Sequence, residues 1–299
     1  MKILSDFDGV MTEQSEEGAL ELQIFRDGIV AAGLSPNETD ELVAQGVRDL
    51  AAAPLRHGWR SKGRLTGYAD EDLFIRNIAL ATHFDQRSDA TTSGPDTSFD
   101  ALARRARAAL VTAGTASFWD LVVRAHDEMV RRTQAGQLTP MDPIVGRTLE
   151  ALLADGHEIV VVSNSGNQRV LSLLESLGLR PSAHDQAPHE SFRVRGGARK
   201  FELGPDPQWL DFGGREVDVA RPPYQTILRE EQPDFVIGDV FSFDLATPLQ
   251  LARTQEIRPL RAILRLRAYT PAWARSLCGA DDVLAMSHFD ELPSLIQSA

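Results

Sequence analysis

Residues Glu158 to Ser163 read EIVVVS, an unbroken apolar and β-branched run with no polar alternation. A strand with one face in water alternates apolar and polar side chains; a strand covered on both faces does not. The run therefore demands a sheet with helices on both sides, and such sheets are parallel because the crossovers carry the helices. Asp234 to Gly238 (DFVIG) repeats the pattern, and residues 2–6, Ala262 to Leu266 and Val283 to Met286 add shorter strands. Helical stretches separate them: Pro143 to Asp155, closed by Gly156; 167–178, ending at Gly178; Pro222 to Glu231; one near 244–253; and a last one from about Glu291. Phe192 to Leu203 and Glu216 to Val219 read as further strands that could form a hairpin. Alternating strand and helix predicts an α/β domain with a mostly parallel sheet.

One block breaks the alternation. From about residue 21 to 136 the pattern is helical, with almost nothing strand-like. Ser35-Pro36 reads as an N-cap followed by proline in the first turn, opening a helix that ends near Pro54. Residues 69–84 read as a helix, and Phe118, Leu121, Val122, Ala125 and Met129 recur at three- and four-residue spacing. Residues 13–20, polar and acidic, read as a mobile loop or hairpin, and 85–98 as a loop around Gly-Pro. The expected organisation is a core of 1–14 and 137–299 with an all-helical module, 15–136, inserted after the first strand.

At 299 residues the chain can bury a sizeable core. Its formal charge of −12 argues against nucleic acid or an anionic membrane as partner. A single cysteine, Cys278, cannot form an internal disulfide and fits a reducing, cytoplasmic setting. Neither a secretory leader nor a run long enough to cross a membrane is visible.

The chemistry gathers at strand ends, where open α/β sheets bind ligands. The first strand runs into Asp6-Phe7-Asp8-Gly9-Val10-Met11-Thr12. Residues two apart on a strand share a face, so Asp6 and Asp8 are neighbours, and two close carboxylates imply a cation or a shared proton between them. A solvated surface turn is the plain alternative. Gly9 permits a tight turn or a close backbone approach. The second apolar strand ends in Ser163-Asn164-Ser165-Gly166, the third in Gly238-Asp239 with Asp244 shortly after. Converging oxygen ligands from Asp6, Asp8 and Asp239 suit Mg²⁺.

This order of motifs resembles the haloacid dehalogenase superfamily, whose first motif has the form D-x-D-G-x-x-T. The resemblance covers roughly 1–14 and 137–299; the helical block matches only in position, as the cap many members insert after motif one. It implies a Rossmann-like core and hydrolysis of a small phosphate monoester, with Mg²⁺ held by Asp6, Asp8 (through its backbone carbonyl), Asp239 and Asp244. By the same resemblance Asp6 is the nucleophile, Asp8 the acid and base, and Ser163 a phosphoryl-oxygen donor, with Gly9 and Asn164 nearby. Members that dehalogenate carbon lack an acid at the Asp8 position, and those that cleave phosphonates usually carry alanine there. Asp8 therefore points to phosphate esters.

The superfamily also needs a cation beside the phosphoryl group. Arg221, in Arg221-Pro222-Pro223-Tyr224, has the position but not the usual residue type; Lys200 has the type but lies earlier, on an expected strand. A basic cluster at 56–64, with Arg60 and Lys62, could contact substrate from the cap or be a solvated loop. The same residues would serve a phosphomutase, and a non-catalytic binding protein could keep the fold. Neither substrate nor oligomeric state is legible.

Overall fold

The computed structural model describes residues 1–89, 97–138, 141–279 and 282–298. The chain divides into two compact units, Met1–Gln14 with Arg60–Gly67 and Pro140–Ala299, and Ser15–Trp59 with Tyr68–Thr139.

In chain order the strands are β1 (Lys2–Ser5), β2 (Gly58–Ser61), β3 (Arg64–Tyr68), β4 (Glu158–Val162), β5 (Ser182–Ala183), β6 (Phe192–Arg195), β7 (Trp209–Phe212), β8 (Arg215–Asp218), β9 (Phe235–Gly238), β10 (Arg261–Arg265) and β11 (Val283–Met286). The helices are α1 (Gln14–Ala32), α2 (Pro36–Ala52), α3 (Leu73–Ser88), α4 (Ser98–Thr112), α5 (Phe118–Gln134), α6 (Pro143–Ala154), α7 (Asn167–Ser176), α8 (Pro222–Glu231), α9 (Ala246–Arg253), α10 (Ala272–Arg275) and α11 (Leu292–Gln297).

Seven strands form a parallel sheet in the order β11-β10-β9-β1-β4-β6-β5. This is a Rossmann-like α/β architecture with the first strand near the middle. β1 pairs with β4 on one side and β9 on the other, Ser5 lying opposite both Val161 and Ile237. The residues just past these three strands, Asp6, Ser163 and Asp239, therefore emerge side by side. Ile159, Val161 and Ile237 pack with Leu149 of α6, Val170 of α7 and Leu292 of α11 in one core, which is why these strands carry no polar alternation.

The helical unit has its own core. Phe25, Leu42, Leu80, Phe84, Ala106 and Phe118 are buried together, with the Phe84 and Phe118 rings 5.3 Å apart edge to face. Ser35 and Glu38 form a capping box on α2, as Ser35-Pro36 suggests; Thr97 and Asp100 form another on α4, and Ser117 caps α5. Among the described residues no helix is long and apolar enough to cross a membrane.

Four expectations change. Residues 14–20 are not a loop but the start of α1: Gln14 and Glu17 are buried there, and Glu21, one turn on, accepts from Asn77 Nδ2 at 3.0 Å and meets His126 Nδ1 at 2.7 Å. The basic stretch 58–68 is not a loop but the hairpin β2–β3, with Lys62 (φ 51°) and Gly63 (φ 78°) in a two-residue turn that needs positive φ at both positions. The expected strand from Phe192 stops at Arg195, since Gly197 (φ 65°) and Arg199 (φ 53°) turn the backbone, and Lys200 lies in a turn. Finally, β8 pairs antiparallel with β7, not with the 192–203 segment. Of the loop expected at 85–98, residues 85–88 belong to α3, and 90–96 lie outside the described residues.

Candidate active site

The sheet delivers Asp6 and Asp239, and a π-turn over Phe241–Leu245 delivers Asp244. Gly238 makes this possible, for a Cβ there would lie 2.1 Å from that of Asp244. Gly9, at φ +76°, does the same for Asp239: a Cβ on it would sit 1.9 Å from Asp239 Oδ2. All three carboxylates are buried, and one oxygen from each lies within 4.8 Å of the others, so the group could hold a metal ion.

Lys200 enters this cluster. The segment after β6 crosses the loop after β4 and is pinned there: Gly197 N donates to Ser165 O at 2.8 Å, Ala198 N to Ser163 O at 2.9 Å and Lys200 N to Asn164 Oδ1 at 2.8 Å. Asn164 thus positions a backbone amide here. The Lys200 ammonium, 1% exposed, reaches Asp6 Oδ1 at 2.8 Å and Asp244 Oδ1 at 2.5 Å. Burial alone would push this lysine down, but Asp244 and Asp6 hold it above the ordinary lysine range. Burial pushes Asp6 up to about 8, with Asp244 and Asp8 adding to the shift and Lys200 opposing it.

Arg221 takes a different place. Its guanidinium, fully buried, donates from Nη1 to Thr66 Oγ1 and to the Lys200 carbonyl, and from Nη2 to the Thr66 carbonyl, each at 2.6 Å. Of the two candidate cations, Lys200 lies against Asp6, whereas Arg221, which has the expected position in the sequence, fastens the β3 strand of the hairpin to the Lys200 turn. Further bonds hold the hairpin: Arg64 Nη1 to Asp218 Oδ2 at 2.6 Å, Thr66 Oγ1 to Phe201 O at 2.9 Å and Leu203 N to Ser61 Oγ at 3.2 Å. Arg60 donates to the Gly63 carbonyl inside the turn, and Lys62 occupies the turn itself.

Asp8 is half-buried beside the cluster. Its Oδ2 accepts from Ser163 Oγ at 3.0 Å and Ser165 Oγ at 2.9 Å, and its Oδ1 meets Arg169 Nη1 in an ion pair. Burial works to raise Asp8, but Arg169 and the two hydroxyls outweigh it and hold the carboxyl below the usual aspartate range. Ser163 is fully buried.

Four residues of the site were not singled out from the sequence. Arg169 occupies the third position of α7, the helix that follows the Ser163 strand. Tyr269 donates to Asp239 Oδ2 at 2.9 Å, and Arg267 Nε to the Gly9 carbonyl at 2.5 Å. Tyr224 donates to the Asp244 carbonyl at 2.9 Å. The strand-end rule that selected Asp239 applies equally to the segment after β10 and would have pointed to Arg267 and Tyr269.

No family model matches the chain, and no curated protein matches it. Among solved structures it is similar to a 2-haloacid dehalogenase from Pseudomonas syringae pv. tomato (17% identity, 100% of this chain and 99% of that one, TM-score 0.44). It is also similar to a haloacid dehalogenase-like hydrolase from Xanthomonas campestris (13% identity, 100% and 95% covered, TM-score 0.47). A third is the HAD-hydrolase YfnB from Bacillus subtilis, solved bound to magnesium (12% identity, 99% and 98% covered, TM-score 0.44). Likeness this loose carries no functional argument; the activity is decided by the chain's own residues.

Proposed function

We propose that this protein is a Mg²⁺-dependent phosphohydrolase that cleaves a small phosphate monoester through an aspartyl-phosphate on Asp6. The observation that carries the reading is the buried trio Asp6, Asp239 and Asp244 with one lysine among them. Three carboxylates against one ammonium leave an excess of negative charge, and hard oxygen donors so placed suit a divalent cation. Asp6, Asp239 and the Asp8 backbone carbonyl would hold the ion, with Asp244 beside them. Bound there, a divalent cation keeps Asp6 ionised and offsets the repulsion between nucleophile and phosphate.

The chain's own residues supply the rest. Asp8 first takes up a proton, from solvent or the phosphate monoanion, as substrate draws Arg169 away; Asp6 then attacks phosphorus in line, the phosphorus–ester oxygen bond breaks, and the leaving oxygen takes that proton from Asp8. Water then attacks the aspartyl-phosphate, Asp8 accepts its proton, and inorganic phosphate departs with Asp6 restored. Lys200 steadies the nucleophile and a phosphoryl oxygen. In the resting protein Asp8 is engaged by Ser163, Ser165 and Arg169. A phosphoryl group competes for the Ser163 hydroxyl and the Arg169 guanidinium, which frees Asp8 to handle the proton. Dehalogenation needs no such acid, because a halide leaves without protonation, whereas an alkoxide does not.

The helical unit is proposed as the cap that selects substrate, and a cytoplasmic setting is proposed from the single cysteine, Cys278. The test is phosphate release from a panel of small esters, with and without Mg²⁺, for the native protein beside Asp6→Asn. Mg²⁺-dependent release that disappears in the variant is expected. Release that survives in Asp6→Asn would sink the nucleophile assignment; isomerisation of a phosphate ester without release would reassign the residues to a mutase.

A further inference from the structure

A second polar cavity, of about 470 Å³, opens beside the Val10–Glu13 segment, at the ends of β10 and β11. None of Asp6, Asp8, Asp239 or Asp244 lines it. Arg265 does, and it is 8% exposed. Its Nε and Nη1 are buried and have no hydrogen-bond partner among the described residues. A buried guanidinium is a costly group to leave unmatched, so such an arrangement calls for a counter-charge.

Most acids near Arg265 already have partners; Asp239, which also acts on it, accepts from Tyr269 at 2.9 Å. Glu13 faces Arg267 Nη1 at 3.1 Å. Asp142 caps α6 by accepting from Ile144 N at 2.8 Å. Glu291 accepts from the amides of Ser287 and His288 at 3.0 and 3.1 Å, and Asp290 is exposed. Arg267, whose donors go to Glu13 and to the Gly9 and Thr12 carbonyls, adds a second positive charge to the same wall. Burial, with the neighbouring Arg267 adding to it, brings Arg265 down to about 10, against the opposing pull of Glu291, Glu13 and Asp239. Ser287 and His288 stand exposed at the rim as further polar groups.

We propose that this cavity is a binding site for a small oxyanion, a phosphate or carboxylate, with Arg265 as its anchor. The guanidinium charge suits either anion through a charge-assisted hydrogen bond, and the cavity is large enough for the anion to be the headgroup of a small metabolite. The site is independent of the hydrolytic reading and would stand if that reading fell.

The test is calorimetric titration of metal-free protein with inorganic phosphate and, separately, with acetate, at low ionic strength. Without a divalent cation the acidic cluster repels anions, so the titration reports the Arg265 cavity. A saturable single-site isotherm is expected for at least one anion, weakened at least about tenfold in Arg265→Met, as expected for losing a charged hydrogen bond, and unchanged in Asp6→Asn. The tighter anion assigns the ligand class. Ser287→Glu, at the exposed rim, should weaken binding by repulsion without touching the core, and it carries the test alone if Arg265→Met does not fold. No saturable isotherm with either anion, or one unaffected by the rim substitution, overturns the proposal.

Discussion

Replacing Arg221 by methionine separates a residue that builds the site from one that works in it. Arg221 is fully buried and makes three hydrogen bonds of 2.6 Å, two to backbone carbonyls and one to the Thr66 hydroxyl. Methionine fills much of the volume but donates nothing. The Thr66 and Lys200 carbonyls lose these donors; an orphaned buried acceptor costs about 1–3 kcal/mol, so the pair amounts to roughly 2–6 kcal/mol. The Thr66 hydroxyl keeps its bond to the Phe201 carbonyl, and the contact of the guanidinium with the Phe243 ring, 5.4 Å away, is lost as well. A destabilisation of about 3–5 kcal/mol results, which for a protein of this size is a fall in melting temperature of roughly 6–20 °C. Thermal unfolding monitored by circular dichroism measures it. Phosphate release, assayed well below the transition, should stay within about tenfold of native, since no reacting group is removed. The companion Lys200→Met should do the opposite, abolishing release. An unchanged melting temperature in Arg221→Met together with lost activity would refute the reasoning and return Arg221 to the role of phosphoryl cation.

The same geometry sets other outcomes. Gly9→Ala forces a left-handed alanine, about 1–2 kcal/mol, and drives a methyl into Asp239; Mg²⁺ affinity should fall about 10- to 100-fold, and an unaltered titration with Mg²⁺ would contradict the close-approach argument. Arg169→Lys, which keeps a positive charge against the largely buried Asp8 but not the planar fork, should slow phosphate release while moving the melting temperature little; equal losses in both would make Arg169 structural. His83, buried against Asp49 and the Phe99 ring, is held below the usual histidine range by that burial, with Asp49 opposing. The unfolded chain therefore takes up the proton first as pH falls, so the His83 contribution is complete above about pH 6.5 and is lost as pH falls through the lower folded value. Melting temperatures of native and His83→Asn between about pH 7 and pH 5 should converge; parallel curves would contradict this.

Legibility in the sequence depended on the range of the forces involved. The parallel sheet could be read because EIVVVS and DFVIG suit only strands covered on both faces, and the ends of neighbouring parallel strands must meet. That logic, with the resemblance of the motif order, brought Asp6, Ser163 and Asp239 to strand ends, and the sheet order β9-β1-β4 sets them side by side. What it could not give was anything decided by a turn. Lys200 reaches Asp6 because Gly196 to Arg199 bend over the loop after β4, held by Asn164 and the Ser163 and Ser165 carbonyls. In the sequence this segment continues the Phe192 strand, so Arg221 looked the better placed cation. The hairpin at 58–68 was hidden by its charge, since its arginines spend their bonds on distant partners such as Asp218. Glu17 misled in the same way: an acid that looked solvated is buried in α1.

The central claim is that Asp6 carries the phosphoryl group between ester and water. Its most direct test is to quench the turning-over protein in acid, digest it and measure by mass spectrometry which peptide has gained a phosphoryl group. The account predicts a label on the peptide spanning Asp6, stable in acid, released by hydroxylamine and absent from Asp6→Asn. Turnover with the label on another residue, or with no covalent label under single-turnover quenching in native protein or Asp8→Asn, would contradict it.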